Sequence, residues 1–364
     1  MRAAKAIEKA LLEKHPSARV NIIDTFRYAS PVLEKLVLGT YMEILKLSPA
    51  VYGYLYRQAE RGRPLSGRSK IEFNRLLNVF TAPKLIRFIR DFSPQVIVST
   101  HPFSLGVLSV MKVGKDIDCP IVGVITDFTV HSFWVFPEVD CYLVGNESLV
   151  EDFVGYGISR DRVRVTGIPV DPIFSKPLSK AGAREKLGLD GDIPAVLVVG
   201  GGLGMGPLYE AVVDIGNSSC HCQLLVVTGR NTELYKRLLS VAPSLKNRVS
   251  VFGFVENMNV LMAASDLMVG KAGGLTCAEA MSASLPVVIV NPIPGQEERN
   301  AEFLTARGAA VKAGEERLTE AVGRLLNDKS LLEKMSSAAA LLARPQAAYS
   351  AAGVIEEIAL QKKL

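Results

Sequence analysis

Ala195-Val196-Leu197-Val198-Val199 runs directly into Gly200-Gly201-Gly202-Leu203-Gly204-Met205-Gly206, and a helical pattern follows from Pro207. An unbroken apolar run of five residues, with no polar alternation, is what a strand covered on both faces requires. Glycines at its carboxyl end let the backbone turn sharply and leave N–H groups pointing outward. The helix that follows adds the positive end of its dipole, so strand, turn and helix start together form an anion site. A tight turn without a ligand is the plain alternative, but five glycines in seven residues exceed what a turn needs. The P-loop Lys-Ser/Thr is absent and the spacing is not a dinucleotide fingerprint, so the expectation is a phosphate site of another type.

The same pattern repeats outward in both directions. Short Val/Ile-rich runs at Val20–Ile23, Val96–Ser99, Ile121–Thr126 and Cys141–Gly145 precede it, and Gln223–Thr228, Val249–Phe252, Leu267–Gly270 and Pro286–Val290 follow it. With helical stretches between them, these runs predict an α/β protein with parallel sheets. Between the two groups a strand ending at Val165 meets Thr166-Gly167-Ile168-Pro169-Val170-Asp171-Pro172, with Pro177 beyond. These breakers mark a linker over 167–180. One domain is expected over 1–166 and a second over 181–345, and the Ala-rich helix over 346–364 is read as packing back across the boundary. Arg2 to Glu13 reads as an amphipathic helix with Ala3, Ala6, Ile7, Ala10 and Leu11 on one face. A doubly wound domain ordinarily opens with a strand and turn before its first helix; here that strand and turn are expected to be missing.

The chain has 364 residues and a net charge of +5, too little to point to nucleic acid. The charge is concentrated. Between Arg57 and Arg90 nine basic residues, among them Arg57, Arg61, Arg63, Arg68 and Lys70, face only Glu60 and Glu72. Tyr52, Tyr54, Tyr56, Phe73, Phe80 and Phe88 are interleaved with them. Cations with aromatic anchors suit a peripheral enzyme at an anionic leaflet, with an ordinary solvated helix face as the plain alternative. Five scattered cysteines, no signal peptide and no run of 18 apolar residues are read as a cytoplasmic protein, peripheral on the inner face of the membrane. Cys220-His221-Cys222 stands alone and is read as two thiols leading into a strand rather than as a metal site.

Three further motifs lie at strand ends of the second half. Lys271-Ala272-Gly273-Gly274-Leu275-Thr276 opens a helix and places Glu279 one turn inside its N-terminus. A carboxylate there is favoured by the helix dipole alone, and it also suits the two hydroxyls of a ribose. Asn291-Pro292-Ile293-Pro294-Gly295-Gln296-Glu297-Glu298-Arg299-Asn300 follows the next strand and offers amides and acids, either as helix capping or to read the hydroxyls of a hexose. Gly253-Phe254-Val255-Glu256 could pair its backbone with a base edge.

In this order the motifs resemble glycosyltransferase family 28, above all the monogalactosyldiacylglycerol synthases and the bacterial processive diacylglycerol glucosyltransferases. Arg2-Ala3-Ala4-Lys5-Ala6, Ile23-Asp24, Ser99-Thr100-His101-Pro102, Thr126-Asp127 with His131 and Trp134, and Val165–Val170 are similar to that family's acceptor domain and linker. The resemblance implies a GT-B architecture, two Rossmann-like domains facing a cleft. It implies that Gly200, Gly201, Gly202, Gly204 and Met205 face the diphosphate of a UDP-sugar. Phe254 and Val255 would meet the uracil, Glu279 the ribose, and Gln296 and Glu297 the hexose. Gly273, Gly274, Leu275, Thr276 and Asn300 complete the donor site. No cofactor and no bound metal are expected. The donor would be UDP-glucose or UDP-galactose and the acceptor diacylglycerol.

An inverting displacement needs a base opposite the nucleotide. The family pattern carries a glycine loop ending in Gly-His before the Arg-Ala-Ala helix, and Met1 stands where the residue after that histidine belongs. Asp127 and His131 are the remaining candidates, with Asp127 also readable as a turn cap. His101 is read as structural or acceptor-facing. Transfer of N-acetylglucosamine to a lipid-linked peptidoglycan precursor, and UDP-sugar binding without turnover, are the competing readings. An epimerase of the same architecture would need several carboxylates around the sugar, which the first half lacks.

Overall fold

The structure, a computed structural model, describes residues 1–29, 83–176, 178–201, 208–314 and 317–361. It divides into two compact units, Met1–Pro172 with Gln346–Leu364, and Ile173–Pro345.

The first unit is built on a four-stranded sheet in the order β1 (Ile97–Ser99), β2 (Ile121–Val124), β3 (Cys141–Val144), β4 (Val163–Val165), every pair parallel. Every residue of β2 and β3 is buried, because both faces of the sheet are covered. On one face Leu105, Met111, Ile121, Tyr142, Leu149 and Phe153 form the main core. On the other, Ile7, Val122, Val124, Leu143, Ala351 and Ile355 pack together. That second face is made by two helices, Arg2–Lys14 and Ala347–Gln361. They meet through Ala6, Ala10, Ala348 and Ala352, small side chains that let the backbones approach closely. Lys14 and His15 both pair with Glu356, the latter at 2.9 Å. Ala3, Ala6, Ile7 and Ala10 are buried as expected, while Leu11 is only half-buried.

One strand expected from the sequence does not form. Val20–Ile23 makes no ladder; Ile23 instead packs its side chain against the main core as part of an irregular segment. The apolar side chains of a short run such as Val20-Asn21-Ile22-Ile23 can be covered by side-chain contact alone, and only a neighbouring backbone turns the run into a strand.

The second unit carries a six-stranded parallel sheet in the order β10 (Ala310–Ala313), β9 (Val287–Val290), β8 (Leu267–Gly270), β5 (Ala195–Val199), β6 (Gln223–Val227), β7 (Arg248–Phe252). Val196 and Val198 pack with Leu208, Val212, Ile215, Val322 and Leu325 on one face. Leu197 and Val199, pointing the other way, are equally buried. β10 was not anticipated, because Ala-Val-Lys-Ala at a sheet edge is short, half-exposed and poor in β-branched residues. The chain leaves β5 for β6 on one side and returns to β8 on the other, so the strand order reverses between β5 and β8. Such a switch point opens a crevice at the carboxyl ends of the strands.

Candidate functional site

At the switch point, β5 ends in Gly200 and Gly201, and Gly201 has φ +66°, the left-handed region that glycine enters without strain. Gly202, Gly204 and Met205 lie outside the described residues. Across the crevice Gly270 pairs with Val199. A Cβ at Gly270 would come within 3.0 Å of both the Val199 carbonyl oxygen and its Cγ2, so glycine is what permits β8 to lie this close to β5.

Beyond Gly270 the chain turns through Lys271 and Ala272 into the helix Gly274–Ser282. Its N-cap is Gly273, which supplies no side-chain acceptor. The N–H groups of Gly274, Leu275 and Thr276 therefore have no intrahelical partner and stand at the positive end of the helix. Glu279 is the sixth of the nine residues of this helix, deeper than the one turn expected, because the helix opens at Gly274 rather than at Leu275, and it is 6% exposed. Asn300 is fully buried and donates through Nδ2 to the Ala272 carbonyl at 3.0 Å. It thus ties this turn to the helix Gln296–Ala306 and presents no surface of its own, a supporting position rather than the exposed reader that its motif implied.

The loop after β9 is held by its own acids. Glu297 Oε2 accepts the Ile293 N–H at 2.7 Å and Glu298 Oε2 accepts the Gly295 N–H at 3.0 Å. Burial raises the Glu297 carboxyl above the usual range, opposed by that hydrogen bond and by the positive charge of Lys271. Glu297 thus does capping work with one oxygen, and its second oxygen is left for other partners. Gln296, at the start of the same helix, is half-buried.

Farther along the same edge, Phe254 projects from the end of β7 and is 55% exposed, with Val255 half-buried beside it. The Arg230 guanidinium carbon lies 5.4 Å from the centroid of the Phe254 ring. Lys271 and Arg230 are cations at this edge that the sequence reading left without a role. Lys271 was visible within its motif, whereas Arg230 follows an ordinary-looking strand and meets Phe254 only in the fold. Among the cysteines, Cys222 is buried and its thiol is pushed up to about 12 by burial, which keeps it protonated and inert.

In the first unit, Asp127 and His131 follow the carboxyl end of β2 and are 3% and 6% exposed. Their loop is pinned by Asn146, whose Nδ2 donates to the Phe128 carbonyl at 3.0 Å. His131 precedes the short helical turn Ser132–Trp134 and lies edge-on to Phe133. His101 sits at the neighbouring strand end and caps the helix Pro102–Val113, its Nδ1 accepting the Phe103 N–H at 3.3 Å. Only a neutral imidazole can accept in this way. The surrounding protein desolvates the ring and lowers its pKa to about 4. His101 is therefore structural at Nδ1 at neutral pH.

Arg57, Arg61, Arg63, Arg68 and Lys70 lie outside the described residues. The last part of their stretch is visible as a helix over 83–92, on which Lys84, Arg87 and Arg90 are exposed. Phe88 and Phe92 stack at 5.9 Å, Tyr28 lies 5.2 Å from Phe88, and the Arg19 guanidinium stands 5.4 Å over Phe92.

Comparison with known proteins covers both units. Residues 1–170 match the model of monogalactosyldiacylglycerol (MGDG) synthase, and residues 195–351 match that of the glycosyltransferase family 28 C-terminal domain. The processive diacylglycerol beta-glucosyltransferase of Staphylococcus saprophyticus is 29% identical over 86% of this chain and 78% of its own. That of Bacillus subtilis is 27% identical over 87% and 81%. Among solved structures, Acinetobacter baumannii MurG aligns with a TM-score of 0.54 at 19% identity over 76% of this chain and 77% of its own. Staphylococcus aureus MnaA with UDP aligns at 0.58 and 15% identity over 76% and 79%. These structural likenesses speak to fold, and the fold is GT-B: two parallel α/β units.

Proposed function

We propose, from the premise that this chain belongs to glycosyltransferase family 28 with an MGDG synthase domain ahead of its C-terminal domain, that it transfers a hexose from a UDP-sugar to diacylglycerol with inversion. The observation that carries this reading is the tandem match. It pairs a donor-type domain shared across the family with a first domain of the kind found in synthases of a glycosyldiacylglycerol. Relatives whose names state transfer to diacylglycerol align across both domains.

The donor lies at the β5/β8 crevice. The glycine-rich sequence Gly200 to Met205 is assigned to the diphosphate, together with the uncapped helix start at Gly273–Thr276. Glu279 takes the ribose, Phe254 and Val255 the uracil, and Gln296 and Glu297 the hexose, with Asn300 holding the turn beneath. In the reaction the acceptor oxygen attacks the anomeric carbon from the opposite side and its proton passes to a base, Asp127 or His131. The bond from that carbon to the diphosphate breaks, and the electron pair leaves with UDP. Backbone N–H groups and helix dipoles aimed at the leaving oxygens stabilise the charge they gain. Lys271, whose field already reaches Glu297, adds a full positive charge on the donor side.

Incubation with diacylglycerol and UDP-glucose or UDP-galactose, followed by separation of the lipids, is expected to yield a monoglycosyldiacylglycerol from one of the two donors, with further sugars if transfer repeats. Product only from UDP-N-acetylglucosamine and a lipid-linked peptidoglycan precursor would replace this reading with its nearest rival, and UDP-sugar binding with no product in either arm would leave a binding protein.

No helix of the described residues is long and apolar enough to cross a membrane. Access to a lipid acceptor then rests on the basic, aromatic stretch. Each basic residue at an anionic surface contributes about 1 kcal/mol, so neutralising Arg61, Arg63, Arg68 and Lys70 together is expected to weaken binding to phosphatidylserine vesicles by well over about tenfold. Sedimentation with such vesicles checks this, and unchanged binding would remove the membrane role of the stretch.

A further inference from the structure

His101, at the carboxyl end of β1, is held in place at both its backbone and its ring. Its carbonyl accepts the Leu105 N–H at 3.0 Å and lies 3.0 and 2.9 Å from the Ser99 and Ser104 hydroxyl oxygens. Its ring is fixed by the Phe103 N–H at Nδ1 and, edge-on, by the Phe103 phenyl group at 5.2 Å. Helix capping alone does not call for this residue. Asp, Asn, Ser and Thr are the preferred caps, and a carboxylate would gain from the helix dipole as well. What an imidazole adds is its second nitrogen.

Because Nδ1 accepts, the neutral ring carries its proton on Nε2. Among the described residues that N–H has no acceptor, and the side chain is exposed. Protein still surrounds the ring closely enough to desolvate it and lower its pKa to about 4. Solvent therefore reaches it in a recess, not on an open surface. At neutral pH the Nε2–H donates, and does nothing else. The strands β1 and β2 are parallel neighbours with Ser99 opposite Gly123, and such strands lie about 5 Å apart. His101 thus stands beside the loop that carries Asp127 and His131. Diacylglycerol brings a hydroxyl and two ester carbonyls to such a place. The hydroxyl must surrender its proton to a base, which a pure donor cannot assist. The carbonyls are pure acceptors, and the nearer one is only a few bonds along the glycerol from the reacting oxygen.

We infer that His101 is a specificity-determining residue on the acceptor side, whose Nε2–H donates to the ester carbonyl next to the reacting hydroxyl and so favours a diacyl over a dialkyl glycerol. This rests on the transfer to diacylglycerol proposed above.

Two substitutions divide the ring between its nitrogens. In His101→Asn the amide oxygen takes the place of Nδ1 and keeps the cap, with nothing left at Nε2. In His101→Gln the amide N–H reaches the place of Nε2, and the cap is lost. The measurement is kcat/KM for diacylglycerol and for a dialkylglycerol, its ether analogue without carbonyls, both in detergent micelles. The unmodified protein is expected to favour the diacyl lipid by about threefold to tenfold, as one hydrogen bond implies. His101→Asn should keep its melting temperature while the ratio between the lipids falls to about one. His101→Gln should melt lower and retain most of the preference. A ratio unchanged in His101→Asn would overturn the inference, and so would an equal loss on both lipids, which would leave His101 a structural cap. Product from both lipids at equal rates in the unmodified protein would overturn it too. No glycolipid at all from the unmodified protein would instead sink the transfer reading itself, and this inference with it.

Discussion

Asp127→Asn is expected to lower kcat by about 10²–10⁴-fold, the range set by loss of a general base, while the KM for the UDP-sugar stays within about twofold. The substitution keeps the shape of the side chain and its capacity to accept hydrogen bonds, and removes its basicity. It therefore separates the two roles open to a carboxylate after a strand. If Asp127 serves only to cap a local turn, Asn does this nearly as well and kcat survives; Asp127→Ala would then lower the melting temperature and keep the pH–rate profile of the unmodified protein. If Asp127 takes the proton, Asn abolishes the acidic limb of that profile, because no group remains whose protonation silences the enzyme. His131→Gln is the companion measurement. Both residues are buried on one loop, which Asn146 fixes from the neighbouring strand end, so either side chain is held in place well enough to serve. A large kcat loss in His131→Gln with none in Asp127→Asn would transfer the role to the histidine. Full activity in both variants would place the base elsewhere.

Much of the fold was legible because the physics that forms it leaves a strong mark. A strand covered on both faces is apolar nearly throughout, and β5, β8 and β9 read that way without ambiguity, as does β6 after its first residue, Gln223. Where the mark weakens, reading failed in both directions. Val20–Ile23 has the composition of a strand but, among the described residues, no strand pairs with it. Ala310–Ala313 is a strand because β9 lies beside it, although two of its four residues are alanine. The donor edge shows the same division. Glycine at 270 was visible as part of a cluster, but the reason for it, the Val199 carbonyl, appears only once β5 and β8 are in register. Asn300 had the chemistry of a sugar reader, and only its burial and its bond to Ala272 reveal that it supports the turn from beneath. Arg230 and Phe254 belong to separate strand ends, and no local pattern announces that they meet.

Glu279 offers the sharpest test of the donor site, because its two explanations predict different observables. As a buried carboxylate in the sixth position of the nine-residue helix Gly274–Ser282, past the first turn in which the dipole acts, its alternative role is to hold the helix in place whether or not any ligand exists. Glu279→Gln would then lower the melting temperature slightly and leave nucleotide binding unchanged. As the acceptor for a ribose it contributes hydrogen bonds to a charged group, each about 1.5–3 kcal/mol, so its loss should weaken UDP affinity by roughly tenfold to a hundredfold. Glu279→Ala is expected to show the full effect and Glu279→Gln most of it, since a neutral amide oxygen is the weaker acceptor. The ligand can be cut as well as the protein. UDP lacking the 2′-hydroxyl should bind the unmodified protein more weakly than UDP, and should bind Glu279→Ala no more weakly than UDP does. Such a cycle isolates the contact between carboxylate and hydroxyl from any general loosening of the helix. Equal penalties for the missing hydroxyl in both proteins, or an unchanged UDP affinity in Glu279→Ala, would remove the ribose from Glu279 and leave the carboxylate a structural role alone.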